Sequence, residues 1–403
     1  MDRVYMDNAA TSFPKAPGVR EAMVRALESP GSPGRGGYAE SLAARATIER
    51  VRESLARLLG VRGQAKQIVL TASATDALNL AIQGVVRTAS RVSDGKTRSV
   101  HVVSSVMEHN SVLRPLRLME QQCLARVTLV GADGAGRVRA AEVIGAMEQE
   151  TALVVLAHAS NVTGAIQPVD AVGEACRARG VLFLVDAAQS IGHVTVDVLN
   201  QHADLVAFPG HKGLLGPSGT GGLYIRAGVE DRIDPWRVGG SGGEGSESES
   251  QPTTMPTRFE AGTPNVVGLA GLLASLEWVE NRTVESISAH EAELILCGLE
   301  FVSRRGVMPG MRLIGPGKES GPGERVPVFS FAHESVEPAE LAAILEQQFG
   351  VLARSGLLCA SGVHSALGTS PHGVLRLSPG VFTPVEEFER ALRALDEIGR
   401  GIA

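Results

Sequence analysis

A histidine and a lysine stand side by side in "GHKGLLGPSGTGGLYI" (210–225), where glycine supplies much of the rest. His211 and Lys212 follow the apolar run "DLVAF" (204–208). A lysine in such a setting has two uses: it can neutralise a nucleotide phosphate, or it can be a desolvated amine that does covalent chemistry. The phosphate-loop pattern puts the lysine after G-x-x-x-x-G and before Ser or Thr at the head of a helix. Here Gly213 follows Lys212 and a strand-like run follows the loop. The pattern fails, and the amine reading stands.

Other residues able to do chemistry fall at matching places. Ser73, Ala74 and Thr75 follow "QIVLT" (67–71), His109 follows "SVHVVSS" (99–105), and Asn161 follows "ALVVLA" (152–157). Asp186 closes "VLFLVD" (181–186), and Gln189 comes shortly after it. With "RVTLV" (126–130) and "GGLYI" (221–225), these runs make seven candidate strands, most of them separated by helix-like segments such as "TDALNLAIQGVV". Apolar strands alternating with helices predict an α/β fold with a mostly parallel seven-stranded sheet, flanked by helices on both faces. The last two runs have no helix between them, so one is expected to run antiparallel. Open parallel sheets bind ligands beyond the carboxyl ends of their strands, and all these polar residues converge on that rim.

An amine on that rim needs an electrophile. Pyridoxal 5'-phosphate offers an aldehyde with which lysine forms a Schiff base. The cofactor also requires a carboxylate for its pyridine nitrogen, a helix N-terminus for its phosphate and a flat side chain over its ring. Asp186, the Ala74–Thr75 turn and His109 meet these three requirements. Each has a plainer use when taken alone. Asp after a strand caps helices, Gln and Asn form turns, and a lone histidine is usually structural. Their convergence is what argues for a site.

Composition narrows the remaining possibilities. The chain has 403 residues, 44% of them hydrophobic, and a formal charge of −6. No basic block stands out, so nucleic-acid binding is not expected. No run approaches the roughly eighteen apolar residues of a membrane span, and the opening "MDRVYMDNAATSFPK" has no apolar signal segment, so a cytoplasmic protein is expected. The cysteines at 123, 176, 297 and 359 form no C-x-x-C pair, which suggests neither a metal site nor a disulfide framework. Cys123, Cys176 and Cys297 are expected to be small buried hydrophobes, whereas Cys359, in "RSGLLCASG", is expected in an exposed loop. Residues 239–257 are low in complexity and read as a mobile loop, and 315–325 as a second loop. A helical pattern runs from Leu269 to about Phe301, and strand and helix patterns then alternate to the end. The expected division is a large cofactor-binding domain (16–281) and a smaller α+β domain (1–15 and 282–403).

Eight segments in order resemble the class V aminotransferase fold and, within it, the cysteine desulfurases. They are "YMDNAATSFPK" (5–15), "TASATDALNL" (71–80), "MEHNSVLRP" (107–115), "HASNVTGAIQPV" (158–169), "VDAAQSIGH" (185–193), "GHKGLLGP" (210–217), "RFEAGTPN" (258–265) and "RSGLLCA" (354–360). The resemblance implies a pyridoxal-phosphate fold type I enzyme that converts L-cysteine to L-alanine. Lys212 resembles the Schiff-base lysine that also moves the α-proton, and His109 the residue stacked on the ring. Gln189 and Asn161 resemble residues near the ring hydroxyl oxygen. His211, Thr75 and backbone N–H groups around Ala74 would take the phosphate. Thr263 resembles a phosphate contact from a second subunit, which implies an obligate homodimer. Arg376, in "GVLRLSPG", resembles the clamp on the substrate's α-carboxylate, where a planar guanidinium fixes orientation; Asn161 and Ala10 are implied beside it. Cys359 resembles the nucleophile that takes the substrate sulfur as a persulfide. Seventeen positions separate Cys359 from Arg376, which is similar to the branch with a compact cysteine loop, whose members often use a sulfur-acceptor protein.

Three departures are visible. The phosphate turn reads "ASAT" where relatives commonly carry glycine, Pro209 replaces a usual Ser or Thr, and Tyr38 stands where close relatives often have histidine. At the first two, each lost neutral hydrogen bond is worth about 1 kcal/mol, so weaker cofactor binding is expected, whereas Tyr38 bears on substrate preference and not on cofactor use. The same residues also admit a selenocysteine lyase, another C–S lyase, an epimerase of the same fold or a sulfur-relay scaffold. Retention of Lys212, Asp186 and His109 argues against the scaffold.

Overall fold

The computed structural model describes residues 3–33, 36–92, 95–240, 249–304 and 306–402; within the expected mobile loop, 241–248 lie outside the described residues. A short strand β1 (Val4–Tyr5) precedes helices α1 (Val19–Glu28) and α2 (Ala39–Leu58). Then follow β2 (Ile68–Thr71), α3 (Ala74–Ser90), β3 (Val100–Ser105), α4 (Asn110–Gln121), β4 (Ala125–Val130), α5 (Ala140–Ala146), β5 (Thr151–Ala157), α6 (Val169–Arg179), β6 (Leu182–Asp186), β7 (Leu205–Pro209) and β8 (Gly221–Ile225). The strands β2 to β8 form one seven-stranded sheet in the order β2-β8-β7-β6-β5-β3-β4. Strand β8 runs antiparallel to both its neighbours, β2 and β7, while the other adjacent pairs are parallel. The missing helix between "DLVAF" and "GGLYI" has this consequence: a short loop can only return the chain antiparallel.

Period-two alternation explains why both faces are covered. In β5, Leu153 and Val155 pack with Ala77, Leu78 and Val85 of α3 and Val112 and Leu116 of α4. Val154 and Leu156 point the other way, into a core with Val51 and Leu55 of α2, Val172 and Cys176 of α6, and Leu272 and Leu276 of a later helix. All of these side chains are essentially excluded from solvent. Their burial is the main force holding the rim of strand ends in place.

That later helix is α7 (Val266–Arg282), and α8 (Val284–Val302) follows it. The single helical pattern read from the sequence breaks at Thr283, which has φ 65 and caps α8 through its hydroxyl, accepting from Ser286 N at 3.2 Å. The chain continues through β9 (Met311–Ile314), β10 (Phe329–His333), α9 (Pro338–Phe349), β11 (Val351–Leu352), β12 (Arg354–Gly356), α10 (Ser361–Ala366), β13 (Val374–Leu377) and α11 (Val385–Ile402). A four-stranded sheet in the order β12-β13-β10-β9 packs beneath α8, α9 and α11. β1 pairs in parallel with β11, and this attaches the N-terminus to the C-terminal part. The short strands β1, β9 and β12 escaped the sequence reading because so few residues give no clear period, whereas "GVLA" (350–353) already reads as strand-like where β11 lies.

The cysteine expectations need one correction. Cys176 is buried and Cys297 half-buried, but Cys123 is exposed. It occupies the tight turn after α4 with φ 57, so its apolar neighbours belong to the helix and strand on either side of it. Among the described residues no helix is long and apolar enough to cross a membrane.

Candidate active site

The site opens at the carboxyl ends of β2, β3, β5, β6 and β7. One cleft is lined by Ser73, Ala74 and Thr75, by Met107 and His109, by Ala159 and Asn161, by Asp186, Ala188 and Gln189, and by Pro209, His211 and Lys212. Eight residues nominated from the sequence therefore share one cavity: Ala74, Thr75, His109, Asn161, Asp186, Gln189, His211 and Lys212.

The N-terminus of α3 forms one wall. Ser73 is its cap, with Oγ accepting from Asp76 N at 3.1 Å, while Asp76 Oδ2 accepts from Ala72 N at 3.1 Å. This reciprocal cap leaves the first-turn N–H groups of Ala74 and Thr75 without intrahelical partners, at the positive end of a helix. His211 lines the same cleft. Its Nδ1 is buried without a partner, and burial, aided by Lys212 and Lys15, lowers its pKa to about 4.

Asp186 is buried at the end of β6, and its Oδ1 accepts from Ala188 N at 2.9 Å. Desolvation raises its pKa despite that bond and the nearby Lys212 amine. Lys212 retains some accessible surface because the cleft is open, but it lies deep enough that desolvation lowers its pKa to about 8. Asp186 opposes that fall, whereas Arg376 and Arg354 reinforce it. Both partners therefore lean towards their neutral forms, so burial outweighs their mutual attraction.

His109 caps α4. Ser111 N donates to its Nδ1 at 3.1 Å, which assigns the ring proton to Nε2. Burial first, then Lys212 and Arg114, lower its pKa to about 4, so the ring is neutral and flat. Gln189 donates from Nε2 to Ala9 O at 2.9 Å.

Glycines 210 and 213 flank the histidine–lysine pair where the protein leaves no room for a side chain. A Cβ on Gly213 would collide with the Ile191 carbonyl oxygen, and one on Gly210 with the Thr220 hydroxyl. The crowding is with protein, and it wedges the lysine loop between β8 and the turn after β6.

Four nominated residues are not among those that line the cleft. Thr263 is exposed, just before α7. Ala10 follows the Ala9 carbonyl that Gln189 holds. Arg376 lies behind Asn161, donating from Nη1 to its carbonyl at 3.0 Å. Cys359 is exposed and its loop is pinned to the rim. Leu358 O accepts from Asn161 Nδ2 at 2.8 Å, Cys359 O from Asn110 N at 2.8 Å, and Leu357 O from His364 Nε2 at 3.0 Å. Leu358 and Cys359 both adopt left-handed φ values, 48 and 57. Tyr38 is at the exposed start of α2, with its hydroxyl donating to Pro30 O at 3.3 Å.

The family model described as Aminotransferase class-V matches residues 4–391. The chain belongs to the class-V aminotransferase family. Among its curated relatives, a probable cysteine desulfurase of Methanothermobacter thermautotrophicus is 33% identical over 98% of this chain and 95% of its own length. One from Vibrio cholerae is 31% identical over 97% and 92%. The apo structure of a cysteine desulfurase from Thermococcus onnurineus NA1 superimposes with a TM-score of 0.88 at 31% identity, covering 99% of this chain and 95% of that one. The fold is that of pyridoxal-phosphate fold type I proteins, as the sequence resemblance implied.

Several residues of this class-V site were not singled out in the sequence. Glu108 is buried beside Asp186, with Oε1 on Ser105 Oγ at 2.5 Å and Oε2 accepting from Ala157 N at 2.8 Å; burial drives its pKa to about 8. Lys15 donates to Thr11 Oγ1 at 3.0 Å, Ser12 Oγ at 3.1 Å and the His211 carbonyl at 3.2 Å. It thereby braces the peptide before Lys212, and burial lowers its pKa to about 8. His193 pairs with Glu291 of α8 at 2.8 Å. Burial opposes the charge on His193, but Glu291 prevails and raises its pKa. The neighbourhood of the motifs was the one signal that could have pointed to Glu108 and Lys15.

Proposed function

We propose that the protein is a pyridoxal-phosphate-dependent cysteine desulfurase that converts L-cysteine to L-alanine and carries the sulfur as a persulfide on Cys359. The observation that carries this reading is the pinning of the Cys359 loop, by Asn161 and Asn110, onto the same cleft that holds Lys212 and Asp186. A plain aminotransferase has no use for a thiol held there.

The residues present fit the cofactor. A buried imidazole nitrogen on His211 lacks a partner, a capped helix N-terminus lines the same cleft, Asp186 is desolvated, and the Lys212 amine has its pKa lowered to about 8. Thr75, His211 and the first N–H groups of α3 would hold the phosphate, joined by Thr263 from a second copy in a homodimer. Asp186 would hold the pyridine nitrogen, Gln189 and Asn161 the ring hydroxyl oxygen, and His109 would lie on the ring face. Once bound, pyridoxal phosphate supplies an aldehyde for the substrate amine and a ring that accepts electrons from the α-carbon.

The chain's own residues do the rest. Arg376 would take the α-carboxylate, with Asn161 and Ala10 beside it, and so set which face of the α-carbon meets Lys212. Lys212, poised near pH 8, would remove the α-proton and return it later, since a base works best with a pKa near the working pH. The Cys359 thiolate would attack the substrate sulfur. A sulfur–sulfur bond forms, the carbon–sulfur bond breaks with its electron pair returning to carbon, and protonation there yields alanine. The exposure of Cys359 leaves the persulfide open to an acceptor protein. The division into 16–281 and 1–15 with 282–403 is our reading of the domains, supported by a separate core that joins Val4 and Met6 to α8, α9 and α11.

The test is product analysis with L-cysteine, added cofactor and a reductant. Alanine and sulfide are expected in equal amounts, with both lost in Cys359→Ala. Pyruvate that survives the substitution would mean β-elimination and would overturn the reading.

A further inference from the structure

Arg376 and Arg354 are directly opposed across the β12–β13 pair. Like charges facing each other on a strand pair repel, and the structure places one carboxylate between them. Asp7 Oδ1 accepts from Arg376 Nη2 at 2.6 Å, and Asp7 Oδ2 lies 3.7 Å from Arg354 Nη1. The Arg376 side chain is 2% exposed and the Arg354 side chain 50%. With Nη1 on the Asn161 carbonyl and Nη2 on Asp7, both terminal nitrogens of the buried guanidinium are already engaged, while its Nε is buried without a partner. The Asp7 backbone is fixed, since its carbonyl accepts from Ala10 N at 3.1 Å and from the Tyr5 hydroxyl at 3.2 Å. Only its side chain is free to turn.

We propose that Asp7 is an internal occupant of the carboxylate clamp: an incoming α-carboxylate displaces it from Arg376, and Arg354 receives it. This rests on the reading that Arg376 binds the substrate carboxylate. Two arginines and one aspartate carry a net charge of +1, so the α-carboxylate of one amino acid brings the cluster to neutrality and lets each arginine hold one carboxylate. A ligand without a carboxylate gains nothing from the exchange. Asp7 therefore filters for α-carboxylates and weakens their apparent affinity by the fraction of time it holds Arg376.

The test uses the holoenzyme and two ligands followed by titration calorimetry: L-alanine, and L-alaninamide, which lacks the carboxylate. Asp7→Asn removes the competitor and is expected to tighten L-alanine on the order of tenfold, with L-alaninamide unchanged. Arg354→Gln, at a half-exposed position, removes the receiver and is expected to weaken L-alanine severalfold, again sparing L-alaninamide. If wild type binds L-alanine but Asp7→Asn binds it equally or more weakly, or Arg354→Gln leaves it unchanged, the exchange is wrong while the site reading survives. If wild type neither binds L-alanine nor turns over L-cysteine, both fall.

Discussion

Replacing Lys212 by methionine should make the cofactor-free protein more stable, although it removes the residue that we propose moves the α-proton. The amine sits where desolvation brings its pKa from 10.5 to about 8. Keeping it protonated at neutral pH then costs about 3 kcal/mol of folding stability. Methionine has similar length and no charge to desolvate. Part of the gain is given back, because Asp186 loses a favourable neighbour, so a net increase of about 2 kcal/mol is expected. The pH dependence is the sharper criterion. A base whose folded pKa lies below its unfolded value binds fewer protons when folded. The wild-type penalty is therefore complete below pH 8 and fades as pH rises towards 10.5. Urea unfolding of both cofactor-free proteins at pH 7 and pH 9.5 measures this directly. A variant less stable than wild type at pH 7, or a difference that does not shrink at pH 9.5, would refute the electrostatic account of the lysine loop.

Glu108→Gln should also stabilise the protein, by about 2 kcal/mol at pH 7. The folded pKa of about 8 lies above the usual 4.5, so the cost of the acid grows from pH 4.5 to pH 8, and denaturation at pH 4 should show no difference between variant and wild type. Gly213→Ala should cost at least about 2 kcal/mol by overpacking against Ile191 and weaken cofactor uptake, read by absorbance titration; unchanged uptake would mean that the loop's position is not critical. His364→Leu deprives the Leu357 carbonyl of a donor and should loosen the cysteine loop. Faster hydrogen exchange over residues 356–361 and roughly tenfold slower alanine formation are expected, and an unchanged exchange rate would contradict the clamp.

The seven strands of the large sheet were legible to within about a residue because burial on two faces imposes long apolar runs whatever the partners. Five sets of polar residues at their ends were legible for the same reason: the strand end fixes the rim. The antiparallel return of β8 followed from a loop too short for a crossover. Less was legible in the C-terminal part, where β9 and β12 are brief and the helical pattern conceals the break at Thr283. Cys123 misled because its apolar neighbours belong to the elements on either side of its turn.

By itself the sequence determined which residue types stand at the strand ends, and hence that an amine, a carboxylate and an imidazole share one rim. Only the tertiary structure decided their states and their company. It buried Lys212 and Asp186 enough to shift the amine's pKa down and the carboxyl's up, since desolvation depends on surroundings drawn from distant segments. It showed that Gly213 is needed against Ile191 and that Asn161 ties down the Cys359 loop. It set Asp7, 369 positions from Arg376, on that guanidinium, a pairing that no local pattern carries because it forms only when β1 joins β11 and draws the N-terminus across the site.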